Sequence, residues 1–345
     1  MKLTFRWYGK DDPVTLDQIR QIPGMTGVVS AVYDTPPGEI WPYESIDAVK
    51  SQAEAAGLSF EVCESVPVHE EIKLGGPEAD RYLDAYCENL IRLGKAGVKV
   101  VCYNFMPVFD WLRSELGREN PDGSKSLAYN EQTVRAMDPS TGGLSLPGWD
   151  ESYTRSALRG LLARYESVGE EELWKNFARF LHAVIPAAER ADIRLAIHPD
   201  DPPWGMFGLP RIITGRESYQ RMRTISRSRA NGITLCTGSL GADPSNDLPA
   251  LAEAFCDDIP FVHLRNIQVT GYRQFQETAH PSSCGSLDMY AIVRALVKGG
   301  FDGYVRPDHG RMIWGESGRP GYGLYDRALG AAYLTGLFEA VEKSL

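Results

Sequence analysis

The feature that most constrains this chain is an alternation repeated along almost its whole length. Short β-rich runs fall at residues 3–8, 27–32, 59–64, 98–104, 193–198, 233–236, 260–264 and 303–306. Helical patterns separate them, near 15–22, 44–56, 77–95, 170–191, 216–230, 246–257, 286–299 and 324–343. Strands separated by helices pair in parallel through right-handed crossovers, and eight such units close into a barrel. The expected fold is therefore an α/β (β/α)8 TIM barrel in one domain spanning residues 1–345. Residues 106–169 interrupt the rhythm after the fourth strand with no convincing strand of their own. A segment of that length, carrying Phe109, Trp111, Tyr129 and Trp149, is expected to be a largely helical lid or subunit-contact arm.

Charge and cysteine usage narrow the function. With 36 basic and 46 acidic side chains the net charge is −10. That disfavours nucleic acid and anionic membrane as partners, since both need clustered Lys and Arg. No apolar run approaches the ~20 residues that span a bilayer. The N-terminus reads directly into a first strand, with no apolar signal segment after it. A cytoplasmic protein acting on a small molecule is expected. The six cysteines form no CxxC pair, so each is either an inert core residue or a functional thiolate.

A TIM barrel carries its active site at the carboxyl ends of its strands. Here the fifth strand ends at His198, the sixth at Cys236, the seventh at His263, and the eighth at Asp308 with His309. Imidazole, thiolate and carboxylate from neighbouring strands can converge on one transition-metal ion. His69 and His280 sit in loops after the third and seventh strands, within possible reach of the same rim. Arg265 and Arg311 can grip a substrate carboxylate bidentately, or can pair with nearby Asp residues instead. The five remaining cysteines read as small core thiols.

Several of these stretches resemble the D-mannonate dehydratase family, the dehydratases with a xylose-isomerase-like barrel. They are Phe5-Arg6-Trp7-Tyr8-Gly9, His198-Pro199-Asp200-Asp201-Pro202-Pro203, Cys236-Thr237-Gly238-Ser239-Leu240-Gly241, His263-Leu264-Arg265-Asn266, Arg306-Pro307-Asp308-His309-Gly310-Arg311 and Arg319-Pro320-Gly321-Tyr322-Gly323-Leu324-Tyr325-Asp326. The resemblance runs from residue 5 to about residue 330. It implies dehydration of D-mannonate to 2-dehydro-3-deoxy-D-gluconate in hexuronate breakdown, with Mn2+ or Fe2+ as cofactor. It implies His198, Cys236, His263 and Asp308 as metal ligands, and His309 with a tyrosine of the last loop as the acid–base pair. Tyr322, between two glycines, is preferred to Tyr325. Zinc would suit the same donors on geometry alone, so the metal rests on the resemblance. A homo-oligomer is expected.

Two other readings compete. A sugar isomerase on the same barrel would favour a carboxylate-rich site over one containing a thiol. A non-catalytic sugar-acid binding protein would have no need of a full set of ligands and proton carriers.

Overall fold

A computed structural model describes residues 1–139 and 154–345. Twelve strands lie among them: β1 (Lys2–Arg6), β2 (Met25–Ser30), β3 (Ser59–Glu64), β4 (Val100–Tyr103), β5 (Glu115–Glu119), β6 (Lys125–Asn130), β7 (Arg194–Ile197), β8 (Asn231–Cys236), β9 (Phe261–Leu264), β10 (Ile267–Gly271), β11 (Gln274–Glu277) and β12 (Tyr304–Pro307). Eight of them close a parallel barrel in the order β1-β12-β9-β8-β7-β4-β3-β2. This is the TIM barrel expected from the alternation, and its eight strands are the eight runs read from the sequence.

Each barrel strand is buried on both faces, and its period of two sorts residues between them. Leu3 and Phe5, Val101 and Tyr103, Leu195 and Ile197, Ile233 and Leu235, Val262 and Leu264, and Val305 join one large apolar core with the helices. Their alternates point into the barrel. Val29, Val62, Val100, Cys102, Ala196, Phe261 and Tyr304 make a separate interior cluster that fills it. Two residues further along several strands the interior turns polar, at Arg6, Glu64, His198, Cys236, His263 and Arg306. The alternation that packs the barrel therefore also aims these groups inward at its carboxyl rim.

The insertion differs from the sequence expectation. Residues 106–169 supply β5 and β6, which join β10 and β11 in an antiparallel sheet of order β10-β11-β6-β5. Short helices follow at Glu131–Ala136 and Arg155–Tyr165, so the described part is mixed rather than largely helical. The strands escaped notice because β5 reads Glu-Leu-Gly-Arg-Glu, and a register shift between Glu115 and Arg118 breaks its alternation. Pro121-Asp122-Gly123, which reads as loop punctuation, is the turn of the β5–β6 hairpin: the Gly123 N–H donates to the Asn120 carbonyl and the Asn120 N–H to the Ser124 carbonyl. Trp149 and the glycine pair at 142–143 lie outside the described residues.

Candidate active site

The site begins with register. Cys236 on β8 pairs with His263 on β9, and His263 pairs with Arg306 on β12. His198 follows β7 directly, its N–H donating to the Tyr103 carbonyl at 2.7 Å. One ligand atom each from His198, Cys236 and His263 lies within 4.8 Å of the others. The Asp308 carboxylate reaches the same place, with Oδ2 3.7 Å from the Cys236 sulfur and 3.9 Å from His263 Nδ1. Both ring nitrogens of His263 are buried and lack a hydrogen-bond partner. A buried polar atom left bare is costly, and a cation among these donors would satisfy it. His198 Nδ1 meets the Pro199 carbonyl at 2.7 Å, which leaves Nε2 free to ligate. These four residues could hold a metal ion, and their chemistry fits one. A second grouping, Glu64, Cys102 and His263, shares His263. Arg306 lies 3.1 Å and Arg6 3.6 Å from the Glu64 carboxylate, as Arg306 and Arg265 lie 2.8 and 3.0 Å from that of Asp308.

His309 and Tyr322 stand beside this cluster. His309 Nε2 and the Tyr322 hydroxyl share a hydrogen bond of 2.9 Å, and Trp111 packs on the imidazole with ring centroids 4.6 Å apart. A cavity opens between them and the barrel interior, lined by Arg6, Tyr8, Glu64, His198, Arg306 and Asp308 among others.

Burial and charge set the ionisation. Burial opposes ionisation of Asp308, but Arg306, His309 and Arg265 outweigh it and hold the carboxyl well below its ordinary range. Glu64 is likewise held well below by Arg306, His263 and Arg6, against its burial. Burial lowers His309, with Arg265 adding to the effect while Asp308 and Glu277 oppose it. Burial also raises the Tyr322 phenol well above its usual value. Both shifts favour the uncharged forms, a neutral imidazole beside a protonated phenol.

Four residues expected near substrate lie elsewhere. Arg265 is fully buried, with Nη2 2.6 Å from Asp201 and Nη1 2.5 Å from both Glu277 and His309. No face of its guanidinium is left for a substrate. Arg311 pairs with Asp326 and Asp122, each at 3.0 Å, on the outer side of the last loop. His69 caps the helix Glu70–Leu74, where its Nδ1 accepts from the Glu71 N–H, and it stacks on Tyr82. His280 is buried but does not line the cavity, and its ring packs where a side chain at Gly330 would stand. Tyr325 is 41% exposed and packs at a tilt against Trp314, so Tyr322 is the tyrosine of that loop that faces the cavity.

Sequence reasoning passed over Arg6, Glu64 and Arg306. Arg6 ends β1 and Glu64 ends β3, so the strand-end question that picked out His198 and Cys236 would have found both. Trp111, Arg113 and Glu277 gave no comparable signal, because the second sheet brings them in.

Eight parallel strands with imidazole, thiol and carboxylate donors on the carboxyl rim define a TIM-barrel enzyme with a candidate metal centre. The crystal structure of a D-psicose 3-epimerase with D-tagatose from Clostridium cellulolyticum H10 shares this fold at a TM-score of 0.59. It is 13% identical, and the match covers 99% of each chain. Far nearer is the crystal structure of mannonate dehydratase from Streptococcus suis serotype2, 48% identical with a TM-score of 0.93, covering 100% of this chain and 95% of that one. The family model for D-mannonate dehydratase (UxuA) matches residues 1–345. The mannonate dehydratase of Streptococcus uberis is 54% identical over 346 residues, covering 100% of this chain and 99% of its own. That of Streptococcus agalactiae is 53% identical over 345 residues, covering 99% of each. The chain belongs to the D-mannonate dehydratase family of hydro-lyases.

Proposed function

We propose that this protein removes water from D-mannonate to give 2-dehydro-3-deoxy-D-gluconate, using Mn2+ or Fe2+ held by His198, Cys236, His263 and Asp308. One observation carries the reading: the His198–Cys236–His263 cluster within 4.8 Å adjoins a hydrogen-bonded His309–Tyr322 pair in a chain matched over its full length by that family. A bound divalent cation supplies Lewis-acid stabilisation of the negative charge that develops beside the substrate carboxylate.

The chain's own residues supply the rest. Elimination needs a proton taken from C2 and a proton given to the departing C3 hydroxyl. A neutral imidazole and a protonated phenol sharing one hydrogen bond offer one acceptor and one donor for those two transfers. The carboxylate-binding role expected of Arg265 and Arg311 passes in this reading to Arg6 and Arg306, whose cationic groups line the cavity. Met106, Asp110 and Trp111 also line it, which supports the described part of the insertion as belonging to one domain with the barrel and as a cover for the site.

Among the described residues no helix is long and apolar enough to cross a membrane. A reduced thiol ligand suits a cytoplasmic setting, and all six cysteines are free. A small sugar acid is the proposed partner, in a homo-oligomer. The test is incubation of the Mn2+-loaded protein with D-mannonate and its epimers, with detection of a 2-keto-3-deoxy acid. Selective turnover of D-mannonate is expected; metal-loaded protein that turns over no aldonate overturns the assignment.

A further inference from the structure

Against the Nδ1 edge of His309 lies a buried group of charges that the proposed chemistry does not use, with Asp201 alone of the four reaching the cavity wall. Arg113 holds Asp201 at 2.8 Å through Nη1 and Glu277 at 2.8 Å through Nη2. Arg265 holds the same two carboxylates at 2.6 and 2.5 Å. All four residues are 0–1% exposed. Two guanidinium groups and two carboxylates in alternation balance their charges, and each fixes its neighbours. This square meets His309 at one atom. Glu277 Oε1 lies 3.2 Å and Arg265 Nη1 2.5 Å from His309 Nδ1.

We propose that Glu277 is the positioning residue for His309, held in place by Arg113 and Arg265 so that the imidazole keeps Nε2 on Tyr322 and the cavity. The inference rests on the reading of His309 as a proton carrier. Nδ1 faces an obligate donor and an acceptor together. When Nδ1 carries a lone pair it accepts from Arg265; when it carries a proton it donates to Glu277. The ring therefore keeps one orientation whichever nitrogen bears the proton, which a group that both takes and gives protons requires.

The route by which Glu277 arrives also gives the second sheet a purpose. Glu277 ends β11, opposite Ile267 of β10, and β11 pairs in turn with β6 of the insertion. Arg113 sits just before β5. The barrel itself supplies Arg265 and Asp201, and the added sheet supplies the other two corners. Trp111 from the same insertion segment closes the open face of the imidazole.

The experiment compares wild type, Glu277→Gln, His309→Asn and the double variant, all Mn2+-loaded, for metal content and for kcat and KM with D-mannonate. Expected for Glu277→Gln is retained metal, little change in KM and a kcat lower by roughly 10- to 100-fold. In the His309→Asn background the same change should cost nothing further, because a residue acting through His309 loses its effect when the imidazole is gone. An equal loss in both backgrounds, or no loss in either, overturns the proposal. Should Glu277→Gln fail to fold, Arg113→Lys replaces it: it keeps the charge but loses the two-pronged grip on Asp201 and Glu277, and the same pattern is expected.

Histidine 15N NMR of the Zn2+-loaded protein reads the His309 Nδ1 environment without turnover. A shifted Nδ1 resonance in the variant is expected, and an unmoved one refutes the contact. Wild type that leaves D-mannonate intact defeats the dehydratase reading, while the NMR comparison still decides the positioning role.

Discussion

Gly238→Ala tests how firmly the centre of this site is built. A Cβ at position 238 would stand 2.0 Å from Arg265 Nε, 2.6 Å from Cγ and 2.7 Å from Cδ. Ordinary contacts between such atoms are about 3.5 Å or more, so the arginine would have to retreat by roughly 1.5 Å. It has nowhere to go. Its guanidinium is fixed on Asp201 and Glu277, and its Nε is 3.0 Å from Asp308. A shift of that size opens at least one buried ion pair, and breaking such a pair costs about 3–5 kcal/mol. Replacing Gly by Ala within the short helix Thr237–Gly241 returns up to about 1 kcal/mol. The net expectation is a destabilisation of about 2–4 kcal/mol, read by urea unfolding followed by circular dichroism. Gly336→Ala is the control: its site in the helix Tyr325–Ser344 is open, and a gain of up to about 1 kcal/mol is expected. A Gly238→Ala protein as stable as wild type would show that Arg265 is free to move, which would refute the reasoning.

Three further outcomes follow from the same geometry. His309→Asn should keep its metal by elemental analysis and lose about 10²- to 10⁴-fold in kcat; near-normal turnover removes His309 from the chemistry. Cys236→Ser should lower metal retention in equilibrium dialysis, and unchanged stoichiometry and affinity would show that the thiol is not a ligand. Arg265, Arg113 and His309 lower Glu277 from its ordinary 4.5 to about 2, against the opposing effect of burial. A lowered carboxylate contributes stability that is full above 4.5 and is lost as pH falls through about 2, here about 3 kcal/mol. Urea unfolding at a series of acid pH values should show that slope in wild type and a flatter one in Glu277→Gln; equal slopes would contradict it.

The barrel was legible because its signal is repeated eight times, and His198, Cys236 and His263 because strand-end position is itself a structural coordinate. Tyr322 could be preferred to Tyr325 because glycines flank it, and the structure turns it inward while Tyr325 lies at the surface against Trp314. Arg265 was left open between substrate and ion pair for a physical reason. A guanidinium beside a site looks the same in sequence whether it faces substrate or is enclosed by Asp201, Glu277 and Asp308, and those carboxylates come from distant segments. The second sheet was hidden by its composition: β5 is mostly charged and bulged, and β11, which pairs with β6, lies with β10 more than a hundred residues downstream. Glu277 is invisible without that pairing.

The central claim is that a metal ion at His198, Cys236, His263 and Asp308 enables dehydration of D-mannonate. Protein stripped with chelator, mixed with D-mannonate and followed for the 2-keto-3-deoxy acid, should form no product until Mn2+ or Fe2+ is restored, and should then form it steadily. Product formed equally well by the stripped protein, or none after metal is restored, would contradict the account.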